Sequence, residues 1–232
     1  MNSYVSLDLE TTGLSPKHDK IIEIGAVKII DGEIVDNFSE FVNPGRKLTE
    51  NVTALTGITE NDLSGAKEPS EVIPRLLDFI GDLPLVGHRI LFDYSFVKQE
   101  AVNLRLSFEK EALDTLKISR ACFPELPGKK LTDMCEHYCI EYRAHRAFND
   151  AEATARLYEY LKRDFKEKCP KLFEPQKLNY QVKKESPARK SQIERIENLI
   201  ARNNVDCPYD LSKMSKNEAS RYYDILIAKY GK

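Results

Sequence analysis

Asp31-Gly32 stands between two apolar runs, Ile21–Ile30 and Glu33-Ile34-Val35. The favoured two-residue hairpin turn needs positive φ at both central positions, which Asp tolerates and Gly adopts freely. The chain is therefore expected to double back here as an antiparallel pair. Upstream, Tyr4 to Glu10 alternates with a period of two, Val5, Leu7 and Leu9 facing one way and Ser6, Asp8 and Glu10 the other. A further strand runs through Phe38, Phe41 and Val42 and stops at Asn43-Pro44-Gly45. Three successive antiparallel strands thus open the chain.

The period then changes. Helical spacing is expected over Asn51–Thr56 and Val72–Ile80, followed by a short buried strand at Leu85-Val86-Gly87. Asp93–Leu104, Leu131–Tyr138 and Asn149–Lys162 read as helices, the last with Ala153, Leu157, Tyr158 and Leu161 on one face. Hairpin strands first and strand–helix alternation afterwards predict an α/β domain, a mixed sheet flanked by helices, over residues 1–165. Residues 166–185 lose periodicity and are lysine-rich, which predicts a linker. In residues 186–232, Ser186-Pro187 reads as an N-cap with proline at the first helical position, followed by an apolar stripe of Ile193, Ile196, Leu199 and Ile200. Ser215 and Glu218 form a capping box ahead of a second stripe that includes Tyr222, Tyr223 and Tyr230, spaced as helix core. A small all-helical domain is expected there.

Composition narrows the function classes. Charged residues make up 31% and no apolar stretch is long enough to span a membrane. The start of the chain has no basic segment of the kind that opens a secretory signal. Five cysteines without a paired framework argue against a disulfide scaffold, and Cys135 and Cys139 read as core positions on one helix face. A cytoplasmic protein with reduced thiols is expected. Charge is unevenly spread: residues 1–165 hold 20 Lys and Arg against 28 Asp and Glu, whereas residues 166–232 hold 15 against 9. An acidic body with a basic tail fits a cation site joined to an auxiliary phosphate-contacting module, with Lys183, Lys184, Arg189 and Lys190 as its first basic cluster.

Asp8 and Glu10, two apart on a strand, project from one face roughly 6–7 Å apart. Near a core such a pair is costly unless cations neutralise it. Alone, a D-x-E pair is more often a solvated stripe. Here it continues as Asp8-Leu9-Glu10-Thr11-Thr12-Gly13-Leu14, with Gly87-His88-Arg89-Ile90-Leu91-Phe92-Asp93 and His145-Arg146-Ala147-Phe148-Asn149-Asp150 later in the chain. Asp93 falls at a strand-to-helix transition, and Asp150 falls in the first turn of a helix with a histidine five residues before it.

In these strings, and in Asn43-Pro44-Gly45, Leu55-Thr56-Gly57-Ile58-Thr59 and Asp114-Thr115-Leu116, the chain resembles the DEDDh exonucleases of the ribonuclease-H-like superfamily. The likeness covers roughly residues 3–165 and is strongest to the proofreading exonucleases of bacterial replicative polymerases. It implies a ribonuclease-H-like fold, with Asp8, Glu10, Asp93 and Asp150 as ligands of two Mg²⁺ or Mn²⁺ ions and His145 as general base. Thr12 and Leu14 would line the terminal nucleotide, Leu55 and Thr56 would wedge against its base, and His88 and Phe92 would shape the pocket. Arg89 stands where relatives commonly have Asn, and Thr56 where many have His. Both departures bear on substrate preference.

The chemistry accounts for the set. Hard divalent cations take oxygen ligands, and a pair of them stabilises both the attacking and the leaving oxygen of a phosphodiester. A histidine, with an unperturbed pKa near about 6.5, can accept a proton from water at neutral pH. The expected reaction is stepwise 3′→5′ hydrolysis of DNA to 5′-mononucleotides, in proofreading, repair or recombination, with a polymerase or other replication protein as a candidate partner. Trimming of RNA ends is the alternative within the same class. A non-catalytic nucleic-acid-binding module is the alternative outside it; a lost ligand would signal that, and all five positions are filled.

Overall fold

In the computed structural model, which describes residues 1–141, 145–182 and 186–231, the Asp31-Gly32 turn joins β2 (Ile21–Ile30) to β3 (Glu33–Phe41). Asp31 has φ 52° and Gly32 φ 90°, as the hairpin geometry demands. β1 (Tyr4–Thr11) pairs antiparallel with β2, Asp8 opposite Gly25 and Glu10 opposite Glu23. After α1 (Glu50–Thr56) and α2 (Pro69–Ile80), β4 (Leu85–Gly87) lies parallel to β1. Then come α3 (Leu91–Asn103), β5 (Glu111–Asp114, parallel to β4), α4 (Thr115–Cys122), α5 (Leu131–His137) and α6 (Ala147–Phe165). A final two-residue strand, β6 (Gln176–Lys177), pairs antiparallel with β5, so the sheet order is β3-β2-β1-β4-β5-β6.

The period-two pattern of β1 separates two cores. Val5, Leu7 and Leu9 pack with Val72, Ile73, Leu76 and Ile80 of α2 and Tyr94 and Val97 of α3. On the other face Tyr4, Val27, Ile29 and Val86 pack against Ala151, Leu157, Tyr158 and Leu161 of α6. The polar side of β1 is therefore turned toward α6, not solvent: the Ser6 hydroxyl donates to Ala151 O at 2.7 Å. α6 sits unusually close to the sheet because Gly25 leaves room for it. A Cβ at Gly25 would lie 2.0 Å from the carbonyl carbon of Ala147 and 2.1 Å from Phe148 N.

The fold corrects several expectations. β5 and α4 are additional to the elements read from the sequence, α4 starting after Asp114, whose side chain accepts from Leu116 N and Lys117 N. The stretch expected as a linker is ordered through its first half: Phe173 is buried and Gln176–Lys177 complete the sheet. Lys183 and Lys184 lie outside the described residues. Ser186-Pro187 does not start a helix, because Ser186 O accepts from Lys216 N and Ala188 N donates to Met214 O, holding the segment extended. α7 (Lys190–Asn203) begins after Arg189. α8 (Lys216–Tyr230) begins at the expected Ser215–Glu218 box. Cys139 falls beyond the end of α5, exposed and at φ 54°, whereas Cys135 is buried. Among the described residues no helix is long and apolar enough to cross a membrane.

α7 and α8 enclose their own small core of Ile196, Leu199, Met214, Ala219, Tyr222 and Leu226. This module is fastened to the body along Gly45–Lys47. Asp210 N donates to Gly45 O and Lys47 N to Pro208 O. The Arg46 guanidinium pairs with the Glu218 carboxylate and donates to His18 O, Lys20 adds a second cation to Glu218 at 3.5 Å, and Lys213 reaches Glu68 at 2.5 Å. Glu218 thus caps its own helix and anchors it to the sheet domain.

Candidate active site

The end of β1, the first turn of α3 and the first turn of α6 converge on one open cleft. Its wall includes Asp8, Leu9, Glu10, Leu14, His88, Arg89, Phe92, Asp93, Leu131, His145 and Asp150. Asp8, Glu10 and Asp150 each offer a carboxylate oxygen, and those oxygens all lie within 4.8 Å of one another. Asp93 is buried beside them. Its Oδ1 accepts from Leu9 N at 3.1 Å, a donor left over because β4 pairs with β1 only at Val5 and Ser6.

Asp150 is held by its own helix start: Oδ2 accepts from Arg146 N at 3.0 Å, with the His145 amide also contributing. The same helix start is held from β2. The buried Glu23 carboxylate receives the Arg146 guanidinium, at 2.9 Å for Nη2, and accepts from Ala147 N at 3.1 Å. Neither Glu23 nor Arg146 stands out in the sequence. The available signal is the alternation along β1 and β2, which puts Glu23 beside Glu10.

Crowding perturbs every acid in the cleft. Burial first, then the charges of Asp93, Asp150, Glu10 and Glu23, hold the Asp8 carboxyl well above the usual range. Burial and the Asp150 and Glu23 charges push Glu10 up to about 7. Asp150 rises to about 6 through burial, with the Arg146 and His145 amides pulling the other way. Asp93 is raised by burial despite the Leu9 N–H. An all-oxygen cluster that resists its own ionisation fits a hard divalent cation, which would neutralise it.

His145 is exposed at the cleft rim with φ 64°, adjoining the undescribed residues 142–144. His88 lines the cleft with both ring nitrogens engaged, Nδ1 to Thr115 Oγ1 at 2.9 Å and Nε2 to Lys129 O at 2.8 Å. Burial lowers its pKa, so it is a neutral strut. Asp114 Oδ1 accepts from Arg89 N, Leu116 N and Lys117 N, which gives the Asp114-Thr115 pair its purpose: it pins the turn that opens onto Phe92 and Asp93. Arg89 itself has φ 79°, a left-handed conformation uncommon for residues other than Gly, Asn and Asp.

The residues expected around the nucleotide divide. Leu14, 80% exposed, and Phe92 belong to the cleft wall. Leu55 is exposed on α1, while Thr56 is buried with its hydroxyl donating to Val52 O and accepting from Ile58 N. Neither is part of the cleft wall. Thr12 accepts from Lys20 N and faces a different cavity, beside the helical module. Leu131, at the start of α5, lines the acidic cleft with no local signal in the sequence to mark it.

Comparison with known proteins places this geometry. The RNase_T family model, described as an exonuclease, matches residues 5–158. DNA polymerase III PolC-type from Clostridium perfringens is 41% identical over 167 residues, 72% of this chain but 12% of that protein. The corresponding protein of Caldanaerobacter subterraneus is 44% identical over 156 residues, 67% of this chain and 11% of its length. The chain therefore spans about an eighth of these relatives. Exonuclease X in complex with 5′-overhanging duplex DNA superposes with TM-score 0.56 at 25% identity, covering 70% of this chain and 92% of that one. E. coli Exonuclease I bound to a dT13 oligonucleotide superposes at 0.64 with 20% identity, over 75% and 43% of the two chains. At 0.60 and 22%, the 3′-exonuclease that recognises a histone mRNA stem-loop shares the fold over 71% and 83%. By the extent of the family match, the chain belongs to the RNase_T exonuclease family, and its acidic cleft lies in the ribonuclease-H-like domain of that family.

Proposed function

We propose that the chain is a 3′→5′ exonuclease that removes 5′-mononucleotides from DNA, working in the cytoplasm on the ends produced in replication or repair. The observation that carries this is the convergence of Asp8, Glu10 and Asp150 oxygens within 4.8 Å in the cleft that also holds Asp93 and His145. Two Mg²⁺ or Mn²⁺ ions held by these four acids would supply Lewis acidity, activating water and neutralising the departing oxygen.

The remaining roles fall to side chains. His145, on the rim and free of a fixed helical position, takes the proton of the attacking water. Leu14 and Phe92 pack against the terminal nucleoside, and exposed Leu55 on α1 adds an apolar contact to its base. His88, whose two nitrogens are committed, keeps the β4–α3 turn in place. The similarity to part of PolC-type polymerases supports a polymerase or another replication protein as partner.

A time course decides the reading. Matched 3′-labelled and 5′-labelled single-stranded DNA, duplex DNA and RNA are incubated with Mg²⁺ or Mn²⁺. Mononucleotide release from the 3′ label at once, with a descending ladder from the 5′ label, is expected for DNA. Faster loss of RNA would move the substrate to RNA ends, and internal cleavage would overturn exonuclease action.

A further inference from the structure

A second cavity, of about 320 Å³, lies in the seam between the helical module and the sheet domain. The β1–β2 loop separates it from the acidic cleft, Leu14 lining the cleft and Thr12 the seam. One side is formed by Thr12, His18, Asp19 and Arg46–Thr49, and the other by Pro208, Tyr209, Met214, Glu218, Arg221, Tyr222 and Ile225. The floor is apolar and aromatic: Tyr209 and Tyr222 stack edge to face at 4.6 Å, and Ile225 is 46% exposed.

Cations outnumber acids around the rim: Arg46, Lys47 and Arg221 face Asp19 and Glu218, of which Glu218 is paired with Arg46 and Lys20, whereas Asp19 accepts from Ser15 N and keeps its charge. Lys47 and Arg221 are exposed on opposite sides of the cavity and have no ion-pair partner among the described residues. His18 Nδ1 is buried at the same wall with no hydrogen-bond partner among them. Two exposed, unpaired cations on either side of a cavity with exposed apolar surface at Ile225 match a single strand, whose phosphates meet Lys and Arg.

Given the exonuclease reading, we infer that this seam is a track for single-stranded nucleic acid, holding the strand that leads to the acidic cleft. The helical module then serves as one wall of the substrate path. Its fastening through Arg46–Glu218 keeps that wall in register with the β1–β2 loop, which borders both cavities.

The test is equilibrium binding of a fluorescent 12-nucleotide single strand to the full chain in EDTA. There the cation-free cleft repels phosphate and binding reads the seam. Lys47→Glu and Arg221→Glu are each expected to weaken binding about tenfold and to flatten the logarithmic salt dependence by roughly 0.7 for each phosphate left without its cation. Arg195→Glu makes the same charge change on the exposed side of α7, outside the seam, and is expected to shift affinity less than about twofold. Equal losses in all three variants, or unchanged affinity for Lys47→Glu and Arg221→Glu, overturns the track. A wild-type protein that binds through the seam but degrades neither DNA nor RNA in Mg²⁺ or Mn²⁺ sinks the exonuclease reading and leaves the seam standing.

Discussion

Glu23 on β2 and Arg146 ahead of α6, 123 positions apart in sequence, form an ion pair in which the carboxylate is 2% exposed and also accepts from Ala147 N. This pair fixes the helix start that carries Asp150 and sets the base of the loop bearing His145. Glu23→Gln keeps an acceptor for Ala147 N but loses the charge that holds Arg146, so the maximal rate is expected to fall about 10–100-fold, the range for partners that orient ligands. Glu23→Ala leaves that amide unsatisfied and is expected to lower the melting temperature as well. Paired kinetics and thermal melts on both variants check this. A Glu23→Gln protein with wild-type turnover would show that the pair serves the fold alone.

The raised carboxyls make a stability prediction with a definite sign. Glu10 and Asp150 sit at about 7 and about 6 in the fold, against ordinary values of 4.5 and 3.8. Folding thus favours their protonated forms. The stability they contribute is fully present below the unfolded values and is lost as pH rises through 6 to 7. In EDTA the protein is expected to melt higher near pH 5 than near pH 8, by on the order of a few degrees. Millimolar Mg²⁺ or Mn²⁺ should close much of that gap at pH 8. Calorimetry in matched buffers checks it. A metal-free protein more stable at pH 8, with no response to cation, would contradict the crowded-carboxylate account.

Asp8→Asn and Asp150→Asn remove charge from the same cluster without emptying space. Each is expected to cost at least about 10³-fold in rate, because on the proposed reading each deletes a ligand for the cations that stabilise the transition state. Both variants should be at least as stable as the wild type in EDTA at pH 8, since mutual repulsion falls. Single-turnover hydrolysis and melting curves separate the two effects. Loss of folding with turnover per folded molecule preserved would make these residues structural.

Much of this site could be read along the chain because its signals are local. The Asp31-Gly32 turn, the alternation in β1 and the Ser215–Glu218 box each lie within a few residues. What pairs over long distance could not. Glu218 reads as a cap, but its ion pair with Arg46, 172 positions away, fastens the whole module. Phe173 is one buried side chain in a lysine-rich stretch, so the segment from Pro170 to Lys177 reads as linker although it completes the sheet. Ser186-Pro187 obeys the rules for a helix start, yet pairing with Ser215 and Lys216 competes better for its backbone. Thr12 lies in the string that marks the acidic site, and only the fold shows that its side chain faces the neighbouring seam.

On the proposed reading, His145→Ala separates proton transfer from cation binding. The imidazole lies on the exposed rim, and the three carboxylate oxygens that converge within 4.8 Å do so without it. Removing a general base typically costs about 10²–10⁴-fold, and the loss should appear in the maximal rate while cation and substrate affinities stay near wild type. Higher pH should then partly restore the variant, because hydroxide replaces the missing base. Metal titration, equilibrium substrate binding and a pH–rate profile on one preparation test all of this. A variant that loses cation affinity, or turns over at the wild-type rate, would show that another group takes the proton.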